Sequence, residues 1–95
     1  MKPSDRNNAV ITVLGCDAVG IIARISNLLY EHNINIKDIT QTILQDIFTM
    51  IMIVDLSGSD IDIKDLSDKL DRLGEDIGLS IRIQLTELFN AMHRI

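Results

Sequence analysis

Aromatic residues are nearly missing. The chain has no tryptophan, one tyrosine and two phenylalanines among 95 residues. Single-stranded nucleic acid is held largely by bases stacking on aromatic faces, so the chain lacks that platform. Cations are short as well: nine Lys and Arg stand against fourteen Asp and Glu, for a net charge of −5. Phosphate backbones are bound by clustered Lys and Arg that release counterions. The expected partners therefore include no nucleic acid. Cys16 is the single cysteine, which excludes an internal disulfide. Pro3 is the single proline, and no Pro-rich linker occurs. The longest apolar-rich run, residues 47–54, is interrupted by Thr49 and falls far short of the roughly 20 residues a membrane helix needs. Residues 1–8 are polar and do not read as a signal peptide. A cytoplasmic protein without membrane contact is expected.

What the chain has instead is branched aliphatic side chains, 17 isoleucines and 11 leucines. Its length is that of one domain. A domain this small buries only about 60–65% of its unfolded surface, so its core is thin and must be aliphatic. The expected organisation is a polar leader over residues 1–8, a folded body over 9–88 and a tail over 89–95 with helical spacing of Leu88, Phe89, Met92 and Ile95.

Four strands and two helices follow from the pattern. Residues 9–14 are β-branched and nearly all apolar, as in a strand covered on both faces. Residues 19–32 read as a helix, with Ile21, Ile22, Ile25, Leu28 and Leu29 on one stripe, Asp17 or a neighbour as its cap and Asn33 as a left-handed exit. A polar second strand spans 34–45, and the Ile36 to Ile39 spacing implies a bulge. A turn at Gln45-Asp46 leads into residues 47–56, with Phe48, Met50, Met52 and Val54 on one face and Ile47, Ile51 and Ile53 on the other. Residues 62–77 form the second helix, Asp60 and Asp62 suit its start, and Gly74 and Gly78 are both candidate stops. Residues 79–86 alternate as a fourth strand. The order β-α-β-β-α-β is the ferredoxin-like α+β pattern, one four-stranded antiparallel sheet with two helices on one face. The isoleucines on the other face of the third strand imply that a second copy covers that face or an edge.

Two segments suit ligand binding. Asp17-Ala18-Val19-Gly20-Ile21 sets a carboxylate at a helix entry and a glycine where a small molecule can approach the helix-start amides. Capping by Asp17 and a tight turn at Gly20 explain the same residues without a ligand. Asn33-Ile34-Asn35-Ile36 follows the helix, and Asn35 offers the donor and acceptor that an α-amino acid's carboxylate and ammonium require. A plain turn would also use these asparagines.

Together the two segments resemble the ACT domain family, whose pattern reads roughly Asp-Arg-Pro-Gly-Ile with a later Asn-Ile. Here it stands as Asp17-Ala18-Val19-Gly20-Ile21 and Asn35-Ile36, and the resemblance spans about residues 10–85. The free-standing form is similar to the modules of the glycine cleavage repressor. The resemblance implies a regulatory module that binds an amino acid or similar small metabolite between subunits. Asp17, Ala18, Val19, Gly20 and Ile21 would come from one copy, and Asn35 and Ile36 from its neighbour. It also implies a homodimer or higher homo-oligomer that acts on a regulatory protein or enzyme. Ala18 and Val19 replace the family's basic residue and proline, which leaves the loop less rigid and less basic. Some members only dimerise, so a ligand-independent dimerisation or protein-interaction module is the alternative.

Other chemistry is weakly signalled. Asp60, Asp62 and Asp65 fail the register of a calcium loop, because Lys64 stands where an oxygen ligand belongs. Cys16 lies next to Asp17, and a carboxylate neighbour does not activate a thiol as a nucleophile. His32 and His93 have no partners in sequence that suggest a metal or a triad. A phosphate-holding enzyme of the same strand order carries an arginine in its first loop, and residues 15–20 carry none. No catalytic role, cofactor or metal is expected.

Overall fold

The computed structural model of the chain describes residues 7–16 and 20–86. Among the described residues the elements are β1 (Asn8–Gly15), α1 (Ile21–Glu31), β2 (Asn35–Leu44), β3 (Ile47–Asp55), α2 (Ile63–Ile77) and β4 (Ser80–Leu85). The strands form one antiparallel sheet in the order β2-β3-β1-β4, as the ferredoxin-like reading requires. Helix α1 packs towards β2 and helix α2 towards β4. The tail expected over 89–95 lies outside the described residues.

Alternation along each strand decides what enters the core. Ala9, Ile11 and Val13 of β1, Phe48, Met50, Met52 and Val54 of β3 and Ile81 of β4 meet Ile21, Ile25 and Leu29 of α1 and Leu66 and Leu70 of α2. Phe48 is the one aromatic in this core, which was expected to be aliphatic throughout; aliphatic and thioether side chains fill the rest of the narrow space between sheet and helices.

The elements differ from expectation in particulars with local causes. Helix α1 begins at Ile21 rather than 19, and Ile22 is half exposed. It stands about 100° round the helix from Ile21, on the flank of the buried stripe. Strand β1 is covered on both faces only near its start: Val10 is buried, whereas Leu14 is exposed. The bulge falls between Ile36 and Asp38, where the pairing with β3 skips Lys37. That skip returns Ile36 and Ile39 to the same face. Gln45 and Asp46 both take positive φ, the geometry of a tight hairpin turn.

Of the two candidate stops of α2, Gly78 ends it with φ of 74°. Gly74 lies inside the helix, where an added Cβ would stand 2.6 Å from the Leu79 carbonyl oxygen. Its role is close approach of helix to strand rather than termination. Asp62 caps the start, accepting a hydrogen bond from the Asp65 amide at 2.9 Å.

Candidate functional site

Gly20 is the N-cap of α1, with φ of 73°. That backbone favours glycine, whereas an added Cβ would meet nothing within 4 Å, so conformation rather than crowding selects it. The Arg24 amide donates to the Gly20 carbonyl at 3.0 Å and opens the helical ladder. The amides of Ile21, Ile22 and Ala23 therefore precede that ladder. No acidic side chain stands in the first turn and no side chain caps it at Gly20, so the positive end of the helix dipole carries no local counter-charge from those positions. The Ile21 side chain is wholly buried, which leaves its backbone amide as the group it can offer. Asp17, Ala18 and Val19 lie outside the described residues.

Asn35 opens β2 and is exposed, opposite Asp55 of β3. Ile36 is half buried against the core. Upstream, Asn33 takes φ of 59°, the left-handed exit expected of it, and the Ile34 amide closes on the Leu29 carbonyl at 2.9 Å. The turn that presents Asn35 is tied to the loop between β3 and α2 by three contacts. Asn33 Nδ2 donates to the Gly58 carbonyl at 2.9 Å, the Asp60 amide donates to the His32 carbonyl at 3.3 Å, and His32 Nδ1 stands 2.7 Å from Asp60 Oδ1. The last pair joins residues 28 apart in sequence, and nothing in the local pattern announces it. Beside this turn the Ser57 amide donates to Asp55 Oδ1 at 2.9 Å. That amide, then the Ser57 hydroxyl, holds the Asp55 carboxyl below its ordinary range; burial opposes the shift and the Lys37 charge assists it.

Asp62 is engaged in capping and Asp60 with His32. Among the described residues no group of three or more His, Cys, Asp and Glu side chains is placed to hold a metal ion. Cys16 is exposed. No described helix is long and apolar enough to cross a membrane.

Within one copy the two halves of the site stay apart. Gly20 lies before the first turn of α1 and Asn35 follows its last, and an 11-residue helix is about 16 Å long. Between them, on the flank of α1 away from α2, stand Ile22 and Tyr30, the latter 81% exposed. Ile39 and Ile43 of β2, on the helix side of the sheet, are also exposed, Ile43 at 72%. These four residues border β2, which among the described residues pairs with β3 alone. They escape a reading by periodicity because nothing in the pattern says how far α1 reaches over the sheet.

The ACT domain family model matches residues 7–84. A UPF0237 protein of Methanopyrus kandleri is 47% identical over 87 residues, covering 92% of this chain and 97% of its own. An ACT domain protein from Streptococcus pneumoniae is similar in structure, with TM-score 0.78, 37% identity and coverage of 90% of this chain and 97% of that one. A candidate glycine cleavage system transcriptional repressor superposes with TM-score 0.69 at 27% identity, covering 81% of this chain and 44% of that one.

Proposed function

The chain belongs to the ACT domain family, and from that premise we propose that it is a non-catalytic, cytoplasmic regulatory module that binds an amino acid or similar small metabolite between two copies of itself. The observation that carries this reading is the separation just described. A set of helix-start amides, suited to a carboxylate, lies at one end of α1, and an exposed asparagine, suited to an ammonium and a carboxylate, lies at the other. One small molecule reaches both only if a second copy supplies one of them.

The outer edge of β2, at the margin of the described sheet, offers a way to do so. If two β2 strands pair antiparallel about a two-fold axis, the Asn35 end of each lies beside the Leu44 end of the other. Gly20 stands at that Leu44 end, since Gly15, just before its loop, pairs with Phe48 and Phe48 with Ile43. The apolar residues Ile22, Tyr30, Ile39 and Ile43 would then be covered at the junction. Occupancy would bias the arrangement of the two subunits, which is a coupling that a downstream regulator or enzyme can read. The likeness to a candidate transcriptional repressor supports a regulatory rather than a catalytic role.

Thermal unfolding in the presence of each of the twenty amino acids at millimolar concentration tests the reading. At least one should raise the midpoint, because a ligand at about 100 times its Kd stabilises by about 2.7 kcal/mol. Asn35→Ala should remove the shift without lowering the midpoint of the free protein, since Asn35 is exposed. Failure of every amino acid to stabilise would overturn the ligand reading. The second reading, a dimerisation or protein-interaction module that needs no ligand, is favoured by the exposed Tyr30 and Ile43. It is supported instead if a stable dimer forms and no small-molecule extract alters it.

A further inference from the structure

The face of the sheet turned away from both helices is not uniformly exposed. Register places Asn8, Val10, Thr12 and Leu14 of β1 on it, opposite Asp55, Ile53, Ile51 and Thr49 of β3. Ala9, Ile11 and Val13 point the other way, into the core beneath the helices. Val10 therefore lies outside that core, yet it is only 3% exposed, and Asn8 on the same face 5%. Further along this face the cover fades. Thr12 is half buried, Ile51 is 38% exposed, Leu14 44% and Ile47 48%. Side chains within the sheet do not make this gradient, because Val10 and Thr12 are alike flanked by β3 on one side and β4 on the other. Something lies over the Asn8 end, which is the end where the chain leaves β4 through Leu85 and Thr86.

We propose that the chain's own tail, residues 87–95, covers this end of the face. Leu88, Phe89, Ala91, Met92 and Ile95 fall on one side of a helix drawn through the tail, and Glu87, Asn90, His93 and Arg94 on the other. Nine helical residues span about 14 Å, enough to cross from β4 over β1 to β3, since neighbouring strands lie about 4.8 Å apart. Phe89 and Met92 would then lie over Val10 and Ile53. The other segment that reaches this end, residues 1–6, carries only Met1 and Pro3 as apolar side chains. A polar cost decides between the two. Among the described residues, Asn8 Oδ1 and Thr86 Oγ1 are buried without a hydrogen-bond partner. Shutting water from such atoms is unfavourable, so the cover must be held by apolar contact. The tail brings that contact and residues 1–6 do not. A second copy is thereby kept from this part of the face, and the β2 side is left for it. The proposal is independent of whether any amino acid binds.

NMR of the full-length protein with labelled methyl groups tests it. The Val10 and Ile53 methyls should show contacts to the Phe89 ring and stay protected from a soluble paramagnetic probe, which should broaden Leu14 and Ile51. Phe89→Leu keeps the tail apolar and removes the ring. It should shift the Val10 and Ile53 methyl resonances and leave Val13 and Ile81, on the helix side, in place. Phe89→Ser with Met92→Ser should let the probe reach Val10 while Val13 stays protected, which shows that the fold is intact. A sample mixing labelled with unlabelled chains separates a chain's own tail from a neighbour's, and the Phe89 contacts should arise within one chain. The proposal is overturned if the probe reaches Val10 in the native protein, if the contacts come from residues 1–6, or if they come from a second copy.

Discussion

Asp55 shows how one side chain links the end of the sheet to the pH response of the whole fold. The Ser57 amide and hydroxyl bond its carboxylate and hold its pKa below the unfolded value. A depressed folded pKa stabilises at every pH above the unfolded carboxylate range and ceases to do so as pH falls through the folded value. Urea midpoints measured from neutral to acid pH for the native chain and Asp55→Asn should therefore differ at neutral pH and converge as pH falls. A gap that stays constant would show that Ser57 does not favour the charged form. Glycines at this scale are not equivalent. Gly20 answers to a positive φ and Gly74 to a neighbouring carbonyl, although both are simply gaps in a pattern when read in sequence. The family-like loop shows the same division. Gly20 stands where a helix start needs it, while Ile21, which the resemblance assigns to the site, sends its side chain into the core.

The β2–β3 hairpin is the element whose local sequence agrees least with its geometry. Its turn residues, Gln45 and Asp46, have φ of 50° and 69°, a conformation that β-carbons resist and that Asn-Gly adopts readily. Replacing the pair by Asn-Gly should stabilise the protein by about 1 kcal/mol, read as a higher urea midpoint with unchanged slope. An unchanged or lower midpoint would mean that Gln45 or Asp46 makes a compensating contact. The position of the turn was legible because two runs of strand-forming residues meet there. Its handedness was not, because neither residue advertises a positive φ. Helix α2 is the opposite case. Its stripe of Leu66 and Leu70, its Asp62 cap and its Gly78 exit all follow rules of spacing and capping.

For the whole molecule, the question is how a thin core and the apolar margin beside β2 are used. The β2 edge, with Ile43 and Tyr30 exposed beside it, is where the proposed site needs a second copy. Ile43→Lys should shift the protein from dimer to monomer at micromolar concentration in sedimentation, and ligand stabilisation should fall with it, because the junction would cover an unpaired charge where Ile43 offers an apolar side chain. Ile51→Asp, on the sheet face away from the helices, should leave the dimer intact if the edge alone is shared. Loss of the dimer in that variant and not in Ile43→Lys would move the interface to the face. In the sequence, face and edge are equally open, since both carry isoleucine.

By itself the sequence determined the order of elements, the face each buries and the family to which the chain belongs. Those depend on periods of 2 and 3.6 residues and on short cap and turn signals, all of which are local. The tertiary structure alone decided that His32 meets Asp60, that Gly74 lies against the Leu79 carbonyl, and that Tyr30, Ile39 and Ile43 are left exposed beside β2. These are distances between segments remote in the chain. They are set by how far a helix reaches over a sheet and by which strands lie at its margins, and no local pattern carries that information.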